Sequence, residues 1–181
     1  RWIRKQPHER PATHVGKVLM IRRFSLYLCR RGVDAYVPDS TCRSVGRFDF
    51  TPDIFSREQI RHLLTTVDGL PFDPRAPIRH LVMPEVFRVL YGCGLRISEA
   101  LHLKACEVDL EQGVLTIHQG KFRKDRLVPM AVSLTERLRC YARAIEFPNS
   151  HTPFFPNPKR RNYTSYTVYS LFRRMLQKCG I

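Results

Sequence analysis

Acidic residues are scarce in this chain of 181 residues: 16 Asp and Glu stand against 31 Lys and Arg, for a formal charge of +15 and a pI near 10.1. No segment forms an acidic counterweight, so the surplus favours a polyanionic partner, with nucleic acid ahead of a membrane surface. Paired cysteines are missing too. Cys29, Cys42, Cys93, Cys106, Cys140 and Cys179 are scattered, with no C-x-x-C pair and no histidine at ligand spacing. That excludes a disulfide scaffold and a zinc motif, and the six read as reduced thiols serving mostly as small core hydrophobes. No run approaches ~18 apolar residues and the N-terminus has no charged-then-apolar leader, so neither a membrane-spanning helix nor a secretory signal is expected. Repeats and low-complexity segments are lacking as well. What remains, 43% of it hydrophobic, suffices for one sizeable core plus a smaller appendage. The chain opens on Arg1 and stops at Ile181, just past Gly180, so both ends read as cut points in a longer protein.

Residues 1–12 are basic and aperiodic. From Thr13 to Arg31 a helix is predicted, with Met20, Phe24, Tyr27 and Leu28 on one face, Gly32 as its stop, and Lys17, Arg22, Arg23, Arg30 and Arg31 as a basic side that either grips phosphates or is simply solvated. Residues 33–52 carry Pro38, Gly46 and Pro52 without a period and read as an interdomain linker. Ser56 followed by Gln59 is a capping box, with Phe55 able to staple onto Ile60, and opens a helix burying Ile60, Leu63, Leu64 and Val67. Ile78 to Tyr91 is apolar on most sides, which marks a central helix that Pro84 either starts or kinks. Beyond Gly92 and Gly94, a short helix from Ser98 to about Leu103 is expected, with Ser98 as N-cap and Glu99 in the first turn. Val114–His118 and Arg126–Pro129 then read as a β-hairpin with a cationic tip. Ser133 and Glu136 suggest another capping box, ahead of a face of Leu134, Leu138, Ala142 and Ile145. Residues 147–163 form a proline-rich loop containing Lys159, Arg160 and Arg161. The last helix, about Ser165 to Lys178, carries the clearest stripe: Val168, Leu171, Phe172, Met175, Leu176 and Cys179, ended by Gly180.

Two cations are placed for chemistry. A guanidinium offers a planar fork of donors to two phosphate oxygens and stays charged at any working pH. Arg96 sits in a glycine turn ahead of a helix N-terminus, where backbone N–H groups and the helix dipole also favour an anion. Lys121, at the hairpin tip, can reach into a groove and donate a proton to a leaving oxygen. Taken alone, either is also readable as a solvated surface cation.

The stretches Gly94-Leu95-Arg96-Ile97-Ser98-Glu99-Ala100-Leu101, then Glu107-Val108-Asp109-Leu110, then Gly120-Lys121-Phe122-Arg123-Lys124-Asp125-Arg126-Leu127-Val128-Pro129 together resemble the first half of the tyrosine recombinase (phage integrase) catalytic domain. The likeness covers roughly residues 50–181, and residues 13–37 look like the last helix of that family's N-terminal core-binding domain. It implies an α+β, mainly helical fold: a partial catalytic domain with a small β-hairpin, divided as 1–37 core-binding, 38–52 linker and 53–181 catalytic. It also implies roles. Arg96 matches the arginine that clamps the scissile phosphate and stabilises transition-state charge. Lys121 matches the hairpin lysine that protonates the 5′-hydroxyl leaving group, with Lys124, three positions on, as the competing choice. Glu99 matches a supporting acidic residue. Arg22, Arg23, Arg123 and Lys124 are the expected DNA contacts.

The same likeness exposes what is not there. The family's His-x-x-Arg box, a later His or Trp and the nucleophilic tyrosine have no counterpart: His151 precedes Thr152-Pro153-Phe154, and Tyr163, Tyr166 and Tyr169 come too early and read as packing residues. A phosphotyrosyl intermediate needs its nucleophile held against the phosphate with the charge stabilisers in place. The expectation is therefore a DNA-binding fragment of a mobile-element recombinase, unable to cut DNA alone, or else a non-catalytic DNA-binding module or decayed integrase. Double-stranded DNA is the expected partner, with other recombinase protomers in the full-length form. No metal, cofactor or membrane is implied, and a cytoplasmic location on the nucleoid is.

Overall fold

The computed structural model describes residues 4, 6–39, 53–118, 125–147 and 149–181. By its internal contacts the chain divides into two compact units, Arg1–Ile54 and Phe55–Ile181.

The first unit holds helix α1, Pro11–Arg30. Proline at its first position loses no hydrogen bond, because that N–H has no partner inside the helix anyway. At the far end Gly32 turns left-handed (φ 78°), and the N–H groups of Gly32 and Val33 donate to the carbonyls of Cys29 and Leu28, a Schellman closure. The expected inward stripe does not form: Met20, Phe24 and Tyr27 are each more than half exposed. Within its own unit, α1 has no second helix among the described residues to cover them. Of the linker expected over 38–52, residues 40–52 lie outside the described residues.

The second unit is a helical body around one small sheet. Its helices are α2 (Arg57–Asp68), α3 (Arg79–Cys93), α4 (Ile97–His102), α5 (Val132–Ile145) and α6 (Ser165–Lys178). A 3-10 turn, Ala105–Glu107, follows α4. Strands β1 (Val108–Asp109), β2 (Val114–Ile117) and β3 (Arg126–Pro129) pair antiparallel in that order. The hairpin is there, and β1 adds a strand too short to show a period in the sequence. The mainly helical α+β expectation holds.

Helix α2 starts as its sequence dictates: Ser56 Oγ accepts from the Gln59 N–H at 3.1 Å and Gln59 Oε1 from the Ser56 N–H at 2.8 Å. Helix α3 runs through the middle, burying Val82, Met83, Val86, Phe87 and Val89. At about 1.5–3 kcal/mol for each such side chain, this helix is the largest single contributor to the core. Pro84 lies inside α3 rather than at its start. Its missing N–H forfeits one helical bond, and the packing around it outweighs that loss.

Other local signals were overridden. Helix α5 begins at Val132 behind Ala131, with no side-chain cap, so Ser133 and Glu136 lie inside the helix and form no box. The proline-rich loop is no surface excursion: Phe154 and Phe155 are fully buried and join Tyr141 and Phe147 in an aromatic cluster, with the Tyr141 hydroxyl donating to the Phe154 carbonyl. Tyr163 packs inside as expected, but Tyr166 and Tyr169 are exposed. Of the five described cysteines, Cys93 and Cys179 pack half-buried against the core while Cys29, Cys106 and Cys140 are exposed, so fewer serve as core hydrophobes than expected.

Candidate functional site

Helix α3 ends at Cys93 and Gly94 follows in the left-handed region (φ 60°), a conformation that a side chain resists. That reversal sends Leu95 into the core and leaves Arg96, extended (φ −69°, ψ 149°), as the N-cap of α4. Ser98 is therefore not the cap. Glu99, three residues on, takes the capping role from the other side: its Oε2 accepts from the Arg96 backbone N–H at 2.9 Å. The first helix donor is thus already satisfied by a carboxylate, so an incoming anion would meet the Arg96 guanidinium rather than that helix amide.

Glu99 is the hub. Its Oε1 also accepts from Arg96 Nη1 at 2.6 Å. Arg126, the first residue of β3, closes on the same carboxylate as a fork, Nη1 to Oε1 at 3.0 Å and Nη2 to Oε2 at 2.8 Å. The Glu99 side chain is only 8% exposed, while that of Arg96 is 52% exposed. These donors, Arg126 foremost, hold the Glu99 carboxyl down at about 2, and the carboxylate in turn raises Arg126. One carboxylate thus orients two guanidiniums and leaves a net positive charge at the surface, the arrangement needed to meet an anion.

The sheet register carries this geometry to the hairpin. Ile117 pairs with Arg126, the last rung of the ladder. Just beyond it, His118 Nδ1 meets Asp125 Oδ2 at 2.9 Å. The stem of the hairpin is therefore fastened to the Arg96 turn through Arg126 and Glu99. The tip residues Lys121, Arg123 and Lys124 lie outside the described residues.

Of the other sequence candidates, Arg22 and Arg23 stand on α1 in the first unit. Arg22 donates to the Pro38 carbonyl and secures the chain after α1, while Arg23 is exposed. Among the described residues no group of three His, Cys, Asp or Glu could hold a metal ion, and no helix is long and apolar enough to cross a membrane. The residue that sequence reasoning passed over is Arg126. It lay inside the quoted hairpin stretch, but its partner is 27 residues away, and only the strand pairing shows that it faces Glu99.

Residues 54–181 match the phage integrase family. Among curated relatives, the tyrosine recombinase XerA of Thermococcus kodakarensis is 30% identical over 131 residues, 72% of this chain and 43% of the relative. The tyrosine recombinase XerC of Lacticaseibacillus casei is 33% identical over 126 residues, 69% of this chain and 40% of the relative. The chain thus spans less than half the length of these relatives. Among solved structures, the XerH site-specific recombinase bound to its difH substrate superposes with a TM-score of 0.67 at 19% identity, over 96% of this chain and 50% of that one. The Tn1549 transposon integrase in complex with circular intermediate DNA gives 0.69 at 16% identity, over 96% and 59%. At such identities the likeness is one of fold.

Proposed function

Because this chain belongs to the phage integrase family of tyrosine recombinases, we propose that it is a DNA-binding portion of a site-specific recombinase, with Arg96 on the scissile phosphate. The observation that carries this is the Glu99 carboxylate, which fastens Arg96 and Arg126 together at 2.6–3.0 Å and leaves the Arg96 side chain half exposed. A fork held by a second group loses little freedom when a phosphate arrives, and such preorganisation is what stabilises charge developing on phosphate oxygens. Glu99 and Arg126 are positioning residues.

Lys121 is assigned as the general acid for the leaving 5′-oxygen, with Arg123 and Lys124 beside it as phosphate contacts. Arg22 and Arg23 belong to a core-binding portion over residues 1–37, joined through 38–52 to the catalytic portion at 53–181. The 181 residues contain no His-x-x-Arg box, so this chain by itself binds DNA without cutting it. A longer form that supplies the box and a tyrosine would break and rejoin strands through a 3′-phosphotyrosyl link. That form would work with other recombinase protomers.

Two measurements test this. Titrating a labelled DNA duplex at several salt concentrations should give log affinity falling steeply with log salt, about 0.9 per phosphate neutralised. Arg96→Ala should weaken binding about three- to tenfold, as expected for one charge-assisted phosphate contact. A flat salt dependence, or affinity unmoved in the Arg96 variant, would remove the clamp. Incubation with a suicide duplex should yield no nicked product, and nicking would contradict the proposed inactivity.

A further inference from the structure

Beside Glu99 a cavity of about 490 Å³ opens between α4, the 3-10 turn and β2, with His102, Lys104, Glu107, Thr116 and His118 in its wall. His102 has no role in the site described above, and His118 there only closes the hairpin stem with Asp125. His102 Nδ1 lies 2.7 Å from the Ser98 carbonyl oxygen, and His118 Nδ1 lies on the Asp125 carboxylate. Both of those oxygens accept only, so each Nδ1 carries the hydrogen, and a neutral ring keeps a lone pair on Nε2. In that state Nε2 repels an anionic oxygen. Once protonated, the same atom becomes a donor on a positive ring.

The other charged groups described around the cavity are held by partners. Glu99 faces Arg96 and Arg126, Asp125 faces His118, and Glu107 accepts from the Lys104 backbone N–H at 2.8 Å with Lys104 Nζ at 4.0 Å. Protonating both imidazoles adds two positive charges to the described wall.

We infer that this cavity is a proton-gated subsite for a DNA backbone phosphodiester, with His102 and His118 as imidazolium donors next to the phosphate held by Arg96. The inference rests on the DNA-binding reading above. A phosphodiester remains a monoanion across the working pH range, so only the protein titrates. Binding takes up protons, and affinity rises as pH falls.

The test is duplex binding by the 181-residue chain at fixed salt between about pH 5.5 and 8, a window that spans the imidazole range. The variants are His102→Asn with His118→Asn, which keep a side-chain donor near the Ser98 and Asp125 oxygens, and His62→Asn at an exposed position of α2 as control. Unaltered protein should bind about fivefold or more tightly at the acid end, since each protonated ring adds a charge-assisted contact. The double variant should be flat at the pH 8 affinity, and the control should follow the unaltered chain. On the unaltered chain, NMR titration of the ring protons should show both imidazoles retaining their protons to higher pH when duplex is present. Rings unmoved by DNA, a double variant with full pH dependence, or rings shifted equally by inorganic phosphate alone would overturn the subsite. DNA binding that is pH-independent yet weakened by Arg96→Ala removes the subsite and leaves the DNA reading standing; no binding at any pH removes both.

Discussion

Two carboxylates in the second unit are equally closed to solvent and behave in opposite ways. The side chain of Glu85 on α3 is 7% exposed and that of Glu99 on α4 is 8% exposed. Arginine holds both. Yet burial drives the Glu85 carboxyl above its usual range, whereas Glu99 is pulled down to about 2. Glu85 sits deep in α3 and has one guanidinium nitrogen, Arg137 Nε, shared between its oxygens at 2.9 and 3.1 Å, while Arg137 Nη2 serves Asp68 at 2.7 Å. Glu99 lies at the outer edge of the sheet and takes a full fork from Arg126, a second guanidinium from Arg96 and a backbone N–H. Desolvation wins where one shared donor opposes it, and loses where several donors converge. The core carboxylate is tolerated by its surroundings, and the site carboxylate organises them.

The largest effect should come from removing the arginine that hydrogen-bonds the first. Arg137→Met strands Glu85 and should lower stability by about 2–3 kcal/mol at pH 7, measured by urea unfolding, the low end for a broken buried pair because Arg137 is half exposed. The deficit should shrink on acidification, since a carboxyl with a raised folded value is best accommodated when protonated. An unchanged deficit at pH 4 would mean that the cost is lost packing rather than charge.

Glu99→Gln comes next, at about 1 kcal/mol near pH 7, discounted for the solvent-screened arginines around it. Here the sign is reversed. A depressed folded value contributes stability in full above the ordinary 4.5 and loses it as pH falls toward 2. The unaltered chain should lose stability across that window and the variant should lose less. The smallest effect belongs to Arg96→Ala, below ~0.5 kcal/mol, the usual size for an exposed side chain. A large drop in melting temperature would make Arg96 a structural residue and dissolve the contrast.

What the sequence disclosed follows a physical divide. The Ser56–Gln59 box and the α6 stripe were legible because their partners lie within one or two helical turns, and both are as expected. Phe154 and Phe155 were not, because an aperiodic loop gives no sign that it folds back onto Tyr141. The stripe on α1 was legible as a pattern but finds no partner within its own unit. At the site, Arg96 and Glu99 are three residues apart and could be read together. Arg126, His102 and His118 join them only through the strand register and the cavity wall.

The double grip of Glu99 has a thermodynamic corollary. Because one carboxylate holds both the turn at Arg96 and the first residue of β3, a ligand that pulls on either loosens or tightens the hold on the other. Engagement at the hairpin and engagement at the arginine therefore share a coupling free energy. By reciprocity, whatever factor the first adds to the affinity of the second, the second returns to the first.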